Sequence, residues 1–269
     1  MRPLLPRGAT AYARQIAHHL PWLALPLAPL QGMWVTHAVP RFAEAAGVRG
    51  SVGTGDRMMR VVALGDSVTA GYAIEHHRAS VAGQLAQRLA DRYAATVTWQ
   101  VCAVSGYTAG QALDLVDPAV LADADLVFVS IGVNDTKDLH STARFRRELG
   151  ELLDEVLTAA PTAWVCLLGI PPLDGFPALP RPLADALGWR GRVFDRIGVA
   201  AVRARARAFR IQARGRLGEE MFAADGFHPS QTLHASFADA VMTALPPGAL
   251  AEVRVADEAG PGILAAPTQ

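Results

Sequence analysis

From residue 61 onward, short apolar runs alternate with longer stretches whose apolar positions return every three or four residues. Residues 61–64 and 97–103 read as strands, and residues 126–131 are apolar almost throughout, the mark of a strand covered on both faces. Residues 164–168 form a fourth such run, and a short apolar segment around Ile211 a fifth. Helical periods lie between them. Val81, Leu85 and Leu89 recur at i, i+4 and i+8 within a helix over about 80–93, and residues 109–121, 142–159, 191–209 and 232–245 read as further helices. Pro161 closes the helix over 142–159, and a Pro-rich loop spans 171–182. Five strand-helix alternations predict a parallel five-stranded sheet with helices on both faces, a three-layer α/β/α sandwich.

Upstream of residue 60 the pattern changes. Residues 15–40 carry no Asp, Glu, Lys or Arg, and residues 20–30 are strongly apolar but interrupted by Pro21, Pro26 and Pro29. A spanning helix needs about 20 continuous apolar residues, and each proline removes a backbone donor that lipid cannot replace. The early arginines would suit a signal peptide, yet no small-x-small cleavage site follows the apolar run. The segment therefore reads as an arm packed on the domain or lying on a membrane surface, with Trp22 and Trp34 as interfacial anchors.

Charge sharpens this division. The 269 residues hold 25 Lys+Arg and 25 Asp+Glu, a formal net charge of zero that argues against a nucleic-acid partner. With 51% hydrophobic and 19% charged residues, disorder as the main state is excluded. Residues 1–60 nevertheless hold seven Arg against Glu44 and Asp56, net +5, and the remainder carries −5. The asymmetry marks residues 1–59 as an extension, residues 60–245 as the domain that carries the chemistry, and residues 246–269, rich in Ala, Gly and Pro, as a flexible tail. Only two cysteines occur, Cys102 and Cys166, both in apolar stretches; they read as inert core thiols and favour a reducing cytoplasm. Neither they nor the adjacent histidines His18-His19 and His76-His77 suggest a metal site, and no cofactor is expected.

In open α/β sheets, ligands bind beyond the carboxyl ends of the strands. The segments at those places are Gly65-Asp66-Ser67-Val68-Thr69-Ala70-Gly71, Ser105-Gly106-Tyr107-Thr108, Gly132-Val133-Asn134-Asp135 and, before the last helix, Asp225-Gly226-Phe227-His228-Pro229. A serine hydroxyl is a poor nucleophile until a base takes its proton. Among eight histidines, His228 is the one in a sheet-edge loop with a carboxylate three residues before it. Ser67 as nucleophile, His228 as base and Asp225 holding the imidazole make an acyl-transfer triad. The backbone N–H groups of Ser67 and Gly106 and the side-chain amide of Asn134 are the candidate oxyanion donors. Asp66 and Asp135 are expected to shape their loops by bonding neighbouring backbone.

Together these four segments resemble the sequence blocks of the SGNH hydrolases, also called the GDSL esterase and lipase family. Gly65-Asp66-Ser67 with Thr69 and Gly71, Gly106, Gly132 to Asp135, and Asp225 to Pro229 match the blocks in order, with Val68 where the family name has Leu. The resemblance covers about residues 60–245 and implies a flavodoxin-like fold and a cofactor-free serine esterase acting on carboxylic esters of short to medium acyl chains. Lysophospholipase, thioesterase and acyltransferase chemistry would use the same residues, and a non-catalytic binding module would share the scaffold. Residues 176–183 resemble a segment of bacterial members that also carry an apolar N-terminal extension. Leu173, Phe176 and Leu179 are the expected acyl-chain contacts. A nucleotide-binding reading fails because Gly65 and Gly71 have no glycine between them. Arg203, Arg207, Arg210 and Arg214 would form a solvated stripe on a helix that ran that far. His234 is assigned to the exposed or packing side of the last helix. The expected protein is cytoplasmic, with peripheral membrane contact through its N-terminal extension.

Overall fold

The computed structural model describes residues 31, 40–212 and 218–250. Trp22, Trp34, His18, His19, Arg214 and the tail beyond residue 250 lie outside the described residues. Six strands, β1 (Arg49–Val52), β2 (Arg57–Gly65), β3 (Ala95–Ala103), β4 (Leu126–Ser130), β5 (Trp164–Leu168) and β6 (Ala208–Ile211), form one sheet in the order β1-β3-β2-β4-β5-β6. Strands β2 to β6 are parallel, and counted from β2 their order is that of flavodoxin-like sheets. The sixth strand, β1, runs antiparallel to β3 at the edge. It falls inside the expected extension, and its sequence Arg-Gly-Ser-Val has little strand propensity. Gly50 is needed there because a Cβ would come within 2.0 Å of the Trp99 ring.

The helices are α1 (Val81–Tyr93), α2 (Pro118–Leu121), α3 (Val133–Lys137), α4 (Thr142–Ala159), α5 (Leu183–Arg203) and α6 (Gln231–Ala244). Alternation along β2 explains the layers: Val61 and Ala63 pack beneath α1 and α6, whereas Val62 and Leu64 face α4 and α5. Both faces are covered, so residues 61–64 of β2 and 126–129 of β4 are apolar at every position.

α4 and β5 coincide with the sequence reading. The helix expected over 109–121 is broken into a 3-10 turn, Gln111–Leu115, and α2. Pro118 has no N–H to continue a helix, and Asp117 starts α2 by accepting from the Ala119 N–H. The helix expected over 191–209 begins earlier, at Leu183 just after Pro182, and ends at Arg203. Arg207 then lies in a turn and Arg210 in β6, so the arginines do not share a helical face. The tail expected from residue 246 is packed at its start, where Leu250 is buried and its carbonyl accepts from Arg57. Cys102 is half-buried, Cys166 is buried, and burial pushes both thiols up. No helix among the described residues is long and apolar enough to cross a membrane.

Candidate active site

β2 ends at Gly65, where φ is 142° and a Cβ would stand 2.0 Å from the Ser130 carbonyl oxygen of β4. Only glycine allows this approach. Beyond it the Asp66 N–H donates to that same carbonyl (3.0 Å), and the Asp66 carboxyl accepts from Ser130 Oγ (2.9 Å) and the Val68 N–H (3.1 Å). The chain turns tightly, with the Ala70 N–H on the Asp66 carbonyl (2.8 Å), and Ser67 is left at the rim of a cavity of about 330 Å³. Burial pushes the Asp66 carboxyl up to about 7, only partly offset by its bonds from Ser130 and Val68.

The loop before α6 brings the base. Asp225 Oδ1 accepts the backbone N–H groups of Phe227 and His228, both at 2.9 Å, and Oδ2 meets His228 Nδ1 at 2.6 Å. Burial opposes ionisation of Asp225, but the His228 ring and the two backbone donors outweigh it and hold the carboxyl below its ordinary range. An ionised Asp225 keeps the proton on Nδ1, so Nε2 is free to accept from Ser67 Oγ, 3.1 Å away. The Tyr72 ring lies against the imidazole with centroids 4.2 Å apart, and Phe227 closes another side at 5.2 Å.

The oxyanion donors converge on the same cavity, which Ser67, Gly106 and Asn134 all line. Gly106 has φ 90°, a left-handed conformation that favours glycine, and a Cβ there would meet nothing within 4 Å. Its turn is held by the Val104 N–H on the Gly65 carbonyl (3.1 Å) and the Tyr107 N–H on the Val104 carbonyl (3.2 Å). Asn134, in the first turn of α3, donates from Nδ2 to the Tyr107 carbonyl (2.9 Å), leaving its second amide hydrogen for the cavity. Asp135 points the other way, accepting from the Ala109 N–H (3.0 Å) and meeting His140 Nδ1 (3.1 Å), and burial pushes its carboxyl up.

The expected acyl contacts divide. Phe176 lines the cavity, but Leu173 and Leu179 do not; the 3-10 turn Leu173–Gly175 folds them inward against Ala184, Leu187 and Phe222. Ile131 and Ile170, each just past a strand end, together with Val133, Phe222 and Lys137, line the wall instead. Sequence reasoning named none of them as contacts, although the rule of carboxyl strand ends pointed to the first two. His234 is on the packing side of α6 and fully buried.

Among the described residues, one histidine–carboxylate group has ligand-like spacing: Asp135, His140 and Glu148, with atoms within 4.8 Å of one another. Arg144 and Arg147 already meet Glu148 Oε1 at 2.8 and 3.2 Å and neutralise it, so the donor set does not suit a cation.

No curated protein matches the sequence. Among solved structures, the chain resembles TesA at 23% identity, with 70% of this chain and 99% of that one covered and a TM-score of 0.53. A lipase from a goat rumen metagenome, Lip_vut3, aligns at 16% identity over 69% of this chain and 96% of that one, TM-score 0.56. The esterase EstA from Pseudoalteromonas, solved as a complex inhibited by monoethylphosphonate, aligns at 18% identity over 69% and 95%, TM-score 0.51. These likenesses establish the shared fold. Residues 63–235 match the model of the GDSL-like lipase/acylhydrolase family, and with Ser67, Asp225 and His228 inside that span the chain belongs to this family of ester-bond hydrolases.

Proposed function

We propose that the protein is a serine esterase that hydrolyses carboxylic esters of short to medium acyl chains through an acyl-enzyme. The observation that carries this reading is the unbroken chain Ser67–His228–Asp225, with contacts of 3.1 and 2.6 Å, on the wall of a largely apolar cavity. Ser67 Oγ attacks the ester carbonyl carbon as its proton passes to His228 Nε2. The oxyanion takes hydrogen bonds from the N–H groups of Ser67 and Gly106 and from Asn134 Nδ2. Collapse breaks the bond to the alkoxide, which leaves with the proton from His228. Water, deprotonated by the same ring, then releases the acid and frees Ser67. At about 330 Å³ the cavity lies at the small end of the roughly 300–1,000 Å³ range of ligand pockets, which supports a modest acyl group.

Ser67→Ala decides the matter on a panel of nitrophenyl esters: a fall in kcat on the order of 10⁴-fold or more is expected. Wild-type turnover by this variant overturns the reading. A fluorophosphonate, of the same chemical class as the inhibitor bound to EstA, is expected to label the wild type and not the variant.

One feature favours a second reading. The cation Lys137 lines the cavity, where it can meet a phosphate on the leaving group of a lysophospholipid or thioester. Lys137→Ala is expected to slow phosphate-bearing esters about tenfold more than neutral esters of the same acyl chain; equal effects on both remove this reading. A cytoplasmic protein that touches membranes through the apolar segment before residue 40 completes the proposal, and co-sedimentation of the full chain with anionic vesicles tests it.

A further inference from the structure

The residues just before β1 reach the site from outside the four segments that carry its chemistry. Glu44 Oε1 accepts from the backbone N–H of Ser105 at 2.9 Å, one residue before the Gly106 donor. The segment that carries Glu44 is tied along the turn after Ser67. The Phe42 N–H donates to Tyr72 Oη (2.8 Å), the Ala43 carbonyl accepts from the Ala73 N–H (3.1 Å), and the Ala45 N–H donates to the Ala70 carbonyl (3.1 Å). Phe42 also meets the edge of the Tyr72 ring, with centroids 6.2 Å apart.

We propose that Glu44 is a positioning residue for the oxyanion site, its carboxylate fixing the Val104–Ser105 peptide, next to the one that carries the Gly106 N–H, so that this N–H faces the developing charge. The inference rests on the serine-esterase reading. The turn is held by the Val104 N–H on the Gly65 carbonyl, by Asn134 on the Tyr107 carbonyl and by the Tyr107 N–H on the Val104 carbonyl (3.2 Å), which holds the Val104–Ser105 peptide at its oxygen; Glu44 holds the same peptide at its N–H. Ser105 Oγ is buried without a partner, so that side chain supplies no anchor of its own. Gly106, at φ 90° and with no side chain to hold it, is the pivot. A charged acceptor makes a strong bond to a backbone N–H, and an oxyanion donor counts only when it is already aimed. The negative charge of Glu44 opposes the oxyanion, so its contribution is geometric, and an uncharged acceptor of the same length serves equally.

The test compares Glu44→Ala and Glu44→Gln with the wild type, as full chains, on one nitrophenyl ester. Glu44 is exposed, so both variants are expected to fold. The expected result is a kcat about tenfold lower in Glu44→Ala, a KM within about twofold, and recovery to within about twofold of wild type in Glu44→Gln. A wild-type kcat in Glu44→Ala, or a loss in Glu44→Gln as large as that in the alanine variant, overturns the proposal while the esterase reading stands. A wild type that neither turns over esters nor takes a fluorophosphonate overturns the esterase reading and this proposal with it.

Discussion

The two glycines that flank the oxyanion site are constrained in opposite ways. At Gly65 an added methyl group would drive into the Ser130 backbone at 2.0 Å, and no side-chain movement can relieve that. Gly65→Ala is therefore expected to yield no cooperatively folded protein. At Gly106 the space is open, and the cost is the left-handed backbone alone, about 1–2 kcal/mol. Gly106→Ala should keep a cooperative melt while kcat falls, because a Cβ disfavours the left-handed backbone that aims the Gly106 N–H; a melting scan beside a rate measurement checks both. Asp66 belongs to the same scale. With its carboxyl pushed up to about 7 by burial, it is neutral in mild acid and ionised in mild alkali. An anion beside Ser67 opposes the oxyanion, so kcat is expected to decline above pH 7, and Asp66→Asn, which keeps an acceptor for the Val68 N–H, is expected to flatten that limb. Ser67, Asp225 and His228 could be recognised from sequence because a nucleophile, a base and its carboxylate each sat in a loop at a strand end. Leu173 and Leu179 could not be placed, because in a loop of unknown turn type an apolar residue gives no sign of which side it faces.

Helix docking supplies the next prediction. The first residue of α1 is capped from α6: the Val81 N–H donates to His234 Nδ1 at 3.2 Å, while the N-cap residue Ser80 makes no side-chain cap and its Oγ donates to the His77 carbonyl. An accepting Nδ1 puts the ring proton on Nε2, which is buried without a partner. Burial, reinforced by His77 and His228, pushes His234 down to about 3. Its folded value lies below the unfolded one, about 6.5, so the unfolded state binds the extra proton. The stabilisation is whole above pH 6.5 and is lost as pH falls towards 3. Urea unfolding at a series of pH values should show the wild type losing stability relative to His234→Gln by about 1.4 kcal/mol per pH unit between pH 6 and 4. Parallel curves for the two proteins would remove His234 from the account. At this scale the sequence pattern served where a period was long and unbroken, as in α4, and where an apolar run was bounded, as in β5. It failed where a proline interrupted a helical period, at Pro118, and where the apolar residues of a helix ran on into those of a strand, from α5 to β6.

Charge and packing draw different boundaries through the molecule. The excess of arginine before residue 61 suggested a separable extension, yet Arg49, Arg57 and Arg60 stand in strands of the sheet. Arg57 lies 4.8 Å over the Tyr93 ring, and Arg60 donates to Gln100 at 2.9 Å, so these charges are built into the domain. The reason is that β1 and the start of β2 are amphipathic edge segments, whose formal charge reports only their solvent side. A chain beginning at Arg60 would lose β1 and the buried side chains Val52 and Met59. Each of those is worth about 1.5–3 kcal/mol against a typical total stability of about 5–15 kcal/mol, and the removal would also bare the β3 edge at Val97 and Trp99. That chain is expected to aggregate. A chain beginning at Val48 keeps the whole sheet but lacks Glu44, and should fold with kcat lowered at least as far as in Glu44→Ala. Circular dichroism, gel filtration and ester turnover on the two chains separate the cases. A soluble, cooperatively melting chain from Arg60 would show that β1 is dispensable and that the boundary drawn by charge was the structural one after all.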